Sequence, residues 1–264
     1  MNRSYEILRK DLEAAGVRSG DVLVVHSSLK SMGMVEGGAE CVISALSDAI
    51  GREGTLIFPT FTYRTSYQAL FYSNKETPSC VGLISETFRK TDGAFRTDHP
   101  THSVALRGRL VAQLVENELL NDTPMGKNSP YRRLPDVGAK ILALGCSLSH
   151  NSFMHALEEE AGVEYALGDH KEYTVIDADG NELKRRIRRH KFIHPDRRIY
   201  QRYDRTLSVL DEGDYRIAKI HGAESVLIDS VALKKKALKK MKENPLYFVD
   251  DPSGFYANGC RSNL

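Results

Sequence analysis

His155 and Glu158 stand three residues apart in the stretch Asn151-Ser152-Phe153-Met154-His155-Ala156-Leu157-Glu158. On a helix that spacing puts both side chains on one face, with Cβ atoms about 5–6 Å apart. A carboxylate so placed can take the Nδ1 proton of the imidazole and fix its tautomer. Nε2 is then free to act as a general base near neutral pH. The pair follows the apolar run Ile141-Leu142-Ala143-Leu144-Gly145, and α/β folds place their ligands at the C-terminal ends of buried strands. The plain alternative is a surface His–Glu pair, because HxxE is a common helical spacing.

Three other groupings compete with that pair. His99-Pro100-Thr101-His102, joined by His150, His155 and Glu158, could line a metallohydrolase centre. Pro100 disfavours a helical HxxH, and the set lacks a zinc-type spacing, so no metal is expected. Cys146, near His155, could be a nucleophile; an apolar cysteine at a strand end is more often simply buried. The basic run Lys184-Arg185-Arg186-Ile187-Arg188-Arg189-His190-Lys191 follows a hairpin turn and carries no stripe of exposed aromatics. It reads as a solvated strand face or an anion contact, and no nucleic-acid partner is expected. GxGxxG after a strand, GxxxxGK[ST], HExxH and GxSxG are all absent.

The elements that must position these groups follow from hydrophobic period and punctuation. Helices are expected at 4–15 (ended by Gly16), 39–50 (ended by Gly51), 81–90, 108–118, 151–161 and 225–243. In the last of these Val226, Leu227, Val231, Leu233 and Leu238 should face inward. Buried strands are expected at 21–26, 54–58, 103–106 and 141–145, with irregular loops at 63–79 and 126–130. Tyr173-Thr174-Val175-Ile176, Asp179-Gly180 and the run from Leu183 read as a β-hairpin. Alternating helices and buried strands make this an α/β layered fold. The expectation is one domain over 1–264 with a β-rich insertion near 165–205.

Composition bounds the class. The 264 residues are 41% hydrophobic and 27% charged, which is enough apolar material for a core. The net charge of +2, from 37 basic and 35 acidic residues, supplies no global field for nucleic acid or anionic lipid. Cys41, Cys80, Cys146 and Cys260 form no CxxC pair and read as free thiols. No apolar run approaches the roughly 18 residues of a membrane span, and the N-terminus is polar, so a cytoplasmic protein with no membrane partner is expected.

Several short segments in register are more specific than any one of them. They are Val25-His26-Ser27-Ser28-Leu29 with Gly33, Gly54 through Thr62, Thr77-Pro78-Ser79 with Gly82 and Phe88-Arg89, and His99 through Ala105. Ser129-Pro130-Tyr131, Leu144-Gly145, Asn151-Ser152 with His155 through Glu158, and Ile220 through Glu224 complete the set. In this order and spacing the chain resembles the aminoglycoside 3-N-acetyltransferase family, the antibiotic N-acetyltransferases outside the GNAT fold, over nearly its whole length.

The resemblance implies a three-layer α/β/α fold with a mixed central sheet. It implies acetyl transfer from acetyl-CoA to an amine of an aminoglycoside or another amino sugar, with coenzyme A as product. His155 and Glu158 match the family's catalytic pair. His26, Ser27, Ser28, Leu29, Lys30, Ser103, Val104, Ser129 and Pro130 match its coenzyme-binding segments. Thr60, Tyr63, Asn151 and Glu159 are expected on the acceptor side, and Glu158, Glu159, Glu160 and Glu164 form a local acidic cluster suited to a cationic substrate. Oxyanion donors are expected near Ser103 or Ser129. Direct transfer without an acyl-enzyme is expected, and a homodimer remains open, as does a non-catalytic binding protein of the same fold. The sequence departs from the family pattern in three places. Phe71-Tyr72-Ser73-Asn74-Lys75-Glu76 lacks the Asp many resistance enzymes carry before Thr-Pro-Ser, Ser152-Phe153-Met154 is bulkier, and His221 stands where Gly is frequent.

Overall fold

A computed structural model describes residues 2–194 and 196–250. In chain order the elements are α1 (Arg3–Ala15), β1 (Val22–Ser27), α2 (Gly38–Ile50), β2 (Thr55–Pro59), α3 (Tyr63–Ala69), β3 (Phe71–Ser73), α4 (Leu83–Phe88), β4 (Phe95–Arg96), β5 (Val104–Gly108) and α5 (Val111–Val115). They continue with α6 (Pro130–Arg133), β6 (Lys140–Leu144), α7 (Phe153–Ala161), β7 (Leu167–Ile176), β8 (Glu182–His190), β9 (Tyr200–Gln201), β10 (Tyr215–Ile220), β11 (Ala223–Asp229), α8 (Ser230–Glu243) and β12 (Val249–Asp250).

The β1 strand is apolar on both faces because both faces are covered. Val22 and Val24 pack into one core with Phe153 and Leu157 of α7 and Leu233, Ala237 and Met241 of α8. Leu23 and Val25 point the other way, to Leu8 and Leu12 of α1, Val42 and Leu46 of α2, and Phe88 of α4. This is the period-two alternation of a strand sandwiched between helical layers. The sheet between them has the order β10-β11-β6-β1-β2-β5-β4. Its centre, β6-β1-β2, is parallel, while β5, β4, β11 and β10 pair antiparallel. The fold is the expected three-layer α/β/α with a mixed sheet. The hairpin of β7 and β8 forms a second sheet with β3, and β9 pairs with β12.

Three stretches differ from the sequence reading. The helix expected over 108–118 shrinks to α5, because Gly108 extends β5 by pairing opposite Thr55. The segment expected as an irregular loop at 63–79 holds α3 and β3. The helix is short and lacks an apolar stripe, and β3 gains its pairing from the distant β7, with Tyr72 opposite Val175. The helix expected over 225–243 begins only at Ser230. Asp229 caps it by accepting from the backbone N–H groups of Val231 and Ala232 at 2.7 and 2.9 Å. Val226 and Leu227 belong to β11, registered against Ala143 and Leu142, and Val231 is exposed. Cys41, Cys80 and Cys146 are free thiols; Cys260 lies outside the described residues. Among the described residues no helix is long and apolar enough to cross a membrane.

The β10–β11 turn explains one departure from the family pattern. His221 adopts φ +47°, a region that a side chain with a Cβ enters at a cost. Its ring holds the conformation, with Nδ1 2.9 Å from the Met32 carbonyl and Nε2 3.0 Å from Ser4 Oγ. Its backbone N–H donates to Asp11 Oδ2 at 2.9 Å.

Candidate active site

Because β6, β1 and β2 are parallel, their C-terminal ends at Leu144, Ser27 and Pro59 meet at one edge of the sheet. The antiparallel β5 brings its first residue, Val104, to the same edge opposite Pro59. A cavity of about 700 Å³ opens there. His26, Ser27 and Ser28 line it from the end of β1, and Phe61, Tyr63, Arg64 and Tyr67 from the segment after β2. His102 enters before β5, and Cys146, Ser152 and His155 after β6. His190, Lys191, Phe192, Arg198 and Tyr203 close it from the end of β8 and the segment after it.

His155 projects from the first turn of α7 into this cavity, with Glu158 fully buried beneath it. The two do not form the direct bond that the spacing suggests: His155 Nδ1 is 3.4 Å from Glu158 Oε2. Tyr203 stands between them. Its hydroxyl donates to Glu158 Oε2 at 2.6 Å and lies 2.7 Å from His155 Nδ1. With that proton committed to the carboxylate, the phenol oxygen accepts, so Nδ1 carries the imidazole proton and Nε2 is the free base. Burial, reinforced by the Glu158 charge, holds the Tyr203 phenol well above its ordinary pKa and keeps it a donor. The other carboxylate oxygen, Oε1, accepts from Tyr165 Oη at 3.1 Å.

Other imidazoles surround His155. The His102 and His190 ring centres lie 6.3 and 4.6 Å from it, and Phe192 lies at 5.3 Å. Burial lowers the pKa of His26 to about 3 and pushes those of His99, His102 and His190 below the usual imidazole value, so all four are neutral near pH 7. His190 Nε2 sits 2.9 Å from Glu159 Oε1. His99 Nδ1 accepts the backbone N–H groups of Thr101 and His102 at 3.3 and 3.0 Å, and so shapes the loop before β5. Among the described residues no group of three or more His, Cys, Asp and Glu is placed to hold a metal ion.

Of the residues expected from sequence, His26, Ser27, Ser28, Tyr63 and His155 line the cavity. Several others do not. Ser103 and Thr60 are fully buried beneath the floor, where Arg96 engages them: its Nε donates to Ser103 Oγ at 3.2 Å and its Nη2 to the Thr60 carbonyl at 3.0 Å. Val104 is a buried strand residue. Ser129 caps α6 by accepting from Arg132 N–H, with Pro130 at the first helical position. Both are buried, so neither Ser103 nor Ser129 presents an oxyanion donor to the cavity. Asn151 is buried and its Oδ1 accepts from Phe153 N–H at 3.2 Å. Leu29 and Lys30 start a turn outside the lining.

The acidic cluster is likewise engaged elsewhere. Glu159, expected to face the acceptor, is buried against His190 and also accepts Met125 N–H at 2.9 Å. Glu160 pairs with Arg132 and Lys234. The basic run is solvated on one side only: Lys184, Arg186 and Lys191 are exposed, while Arg185 Nη2 donates to the Leu119 and Asn121 carbonyls and Arg188 Nε to that of Gly168. Tyr203, Tyr165 and His190 were not legible as site residues. They lie 45, 7 and 31 positions from their glutamate partners, and no local pattern ties them together.

The β1 end of the cavity also has unmet polar capacity. His26 Nε2 is buried with no hydrogen-bond partner among the described residues. A ligand with amide and carbonyl groups, such as the pantetheine arm of coenzyme A, fits such a wall better than an apolar one does.

The model of the aminoglycoside 3-N-acetyltransferase family matches residues 24–242. The chain is 31% identical over 194 residues to aminoglycoside N(3)-acetyltransferase III of Serratia marcescens, covering 67% of this chain and 72% of that one. It is 32% identical to the Salmonella enzyme of the same name, where the match spans 61% of this chain and 62% of the relative. Among solved structures, a histidine-to-alanine mutant of aminoglycoside acetyltransferase AAC(3)-IVa in complex with a gentamicin superposes with a TM-score of 0.80 at 26% identity, covering 98% of this chain and 94% of that one. AAC-IIIb in a binary complex with CoASH shares the fold, with a TM-score of 0.76 at 22% identity over 90% and 96% of the two chains. Motif order, sheet topology and family match agree: the chain belongs to the aminoglycoside 3-N-acetyltransferase family.

Proposed function

We propose that the protein transfers the acetyl group of acetyl-CoA directly to a primary amine of an amino sugar, with His155 as the general base. The observation that carries this reading is the chain His155 Nδ1–Tyr203 Oη–Glu158 Oε2, at 2.7 and 2.6 Å, which favours the Nδ1–H tautomer of a ring lining the cavity at the strand ends. Acetyl-CoA supplies the acetyl group as a thioester: the N–C bond forms, the C–S bond breaks, and coenzyme A leaves as a thiolate that becomes the thiol by taking from His155 the proton the amine has lost. His26, Ser27 and Ser28 would hold the coenzyme. His155 Nε2 takes the proton that the attacking nitrogen must lose, and the Tyr203–Glu158 pair stabilises the imidazolium that results. Neutral His102 and His190 add no positive charge beside it.

The acceptors named for the relatives are aminoglycosides, which makes these the first amines to test. A different amino sugar is the second reading, favoured because no Asp or Glu among the described residues lines the cavity. The test is thiol release from acetyl-CoA with a panel of aminoglycosides and nucleotide-linked amino sugars. In the His155→Ala variant turnover should fall by about 10²–10⁴-fold while coenzyme A still binds. An unchanged rate would overturn the assignment of the base.

A further inference from the structure

The cleft is cationic where a polycation-binding site would be acidic. Arg64 on one wall and Lys191 and Arg198 on the other line it, all exposed, and none forms an ion pair among the described residues. The nearby acids are unavailable: Glu158 holds two tyrosine hydroxyls, Glu159 holds His190, and Glu160 holds Arg132 and Lys234. Glu164 is exposed but outside the lining. A polyamine bound here would meet like charge with no carboxylate to offset it, and repulsion in a partly enclosed cleft is screened less than in bulk water.

The arginines and the lysine suit a phosphate instead, since guanidinium groups match its oxygens with paired N–H donors. Tyr63 and Tyr67, ring centres 6.2 Å apart, line the same wall as Arg64 and make it aromatic as well as cationic.

Resting on the acetyl-transfer reading above, we propose that the amine acceptor carries phosphate, as an amino-sugar phosphate or a nucleoside-diphosphate-linked amino sugar. Arg64, Lys191 and Arg198 hold its phosphate oxygens while its amine sits at His155.

Coenzyme A also bears phosphates, so the experiment separates the two ligands. Thiol release is followed at saturating acetyl-CoA with glucosamine 6-phosphate, uridine-diphosphate-linked glucosamine, glucosamine and gentamicin. A phosphate-bearing amine should show the highest kcat/KM, by about tenfold over glucosamine, falling as salt is raised, with gentamicin the poorest. Activity with one phosphate-bearing amine alone identifies which form is the acceptor. Arg64→Gln, Lys191→Gln and Arg198→Gln should each lower kcat/KM for that amine several-fold. Kd for coenzyme A, measured by direct titration, should hold, and kcat/KM for glucosamine, itself a cation, should not fall. A preference for gentamicin would overturn the proposal and leave acetyl transfer standing. Variants that weaken coenzyme A binding and slow all acceptors alike would overturn it by assigning the cations to the coenzyme. Acetylation of none of the four amines would overturn the acetyl-transfer reading, and this proposal with it.

Discussion

The Tyr203 hydroxyl reaches Glu158 at 2.6 Å, closer than His155 does at 3.4 Å. Glu158 therefore reaches the imidazole through a phenol contributed from outside α7, and in the reaction proposed above Tyr203 is a positioning residue for the base. Tyr203→Phe keeps the ring's packing and removes the link. We expect kcat to drop about tenfold or more, with the acidic limb of the kcat/KM pH profile displaced and the coenzyme A Kd unchanged. A variant with wild-type rate and profile would show that the direct His155–Glu158 contact suffices.

Cys146 lines the same cavity as His155, yet burial pushes its thiol pKa up to about 11. At pH 7 it is therefore a poor nucleophile. Cys146→Ala should retain kcat within about threefold, and intact-mass measurement after mixing with acetyl-CoA should find no acetylated enzyme. An acetyl adduct lost in the alanine variant would establish a two-step route instead.

Arg96 is a structural cation under the active-site floor. Its Nη1 donates to the carbonyls of Asn74 and Thr77, both at 2.7 Å, and its guanidinium lies 5.1 Å from the Tyr72 ring centre. Arg96→Met leaves these acceptors buried and unpaired, at about 1–3 kcal/mol each. The loss should appear in denaturant unfolding as a lower midpoint. An undisturbed midpoint would mean that water enters and replaces the guanidinium.

Acid should destabilise the fold before carboxylates titrate. Burial holds His26 to about 3 and lowers His99, His102 and His190, whereas the unfolded chain protonates its imidazoles near pH 6.5. Between those limits the unfolded state binds more protons, so stability falls as pH drops below about 6.5, by about 1.4 kcal/mol per pH unit for each fully neutral imidazole. Thermal unfolding from pH 7.5 to 5 should show a steadily falling Tm. A flat Tm would indicate that these rings protonate in place.

Much of the framework was legible in the sequence because its signals are local. Gly16 and Gly51 end helices, the Val22–Val25 run is buried on both faces, and Asp179-Gly180 turns a hairpin. The site was legible only in part. His26 and Ser27 end β1, His155 lies in the first turn of α7, and all three line the cavity; the helical spacing of His155 and Glu158 and the family resemblance pointed to them. Ser103 and Thr60 share that neighbourhood but face Arg96, and nothing in their own segments shows which side of the floor they occupy. The acidic run at 158–160 was misleading for the same reason: its partners His190, Tyr203 and Lys234 arrive from later in the chain.

The pairing of β3 with β7 has a mechanical consequence. Residues 63–67 and the β7–β8 hairpin with the segment after it line the same opening, and Arg189 ties them again by donating to the Tyr67 carbonyl at 2.7 Å while its guanidinium rests 4.6 Å from that ring's centre. The two jaws are therefore a single stiff collar. A change that shifts the hairpin moves Arg64 and Lys191 together, so the width of the entrance and the spacing of its charges are inherited as one trait.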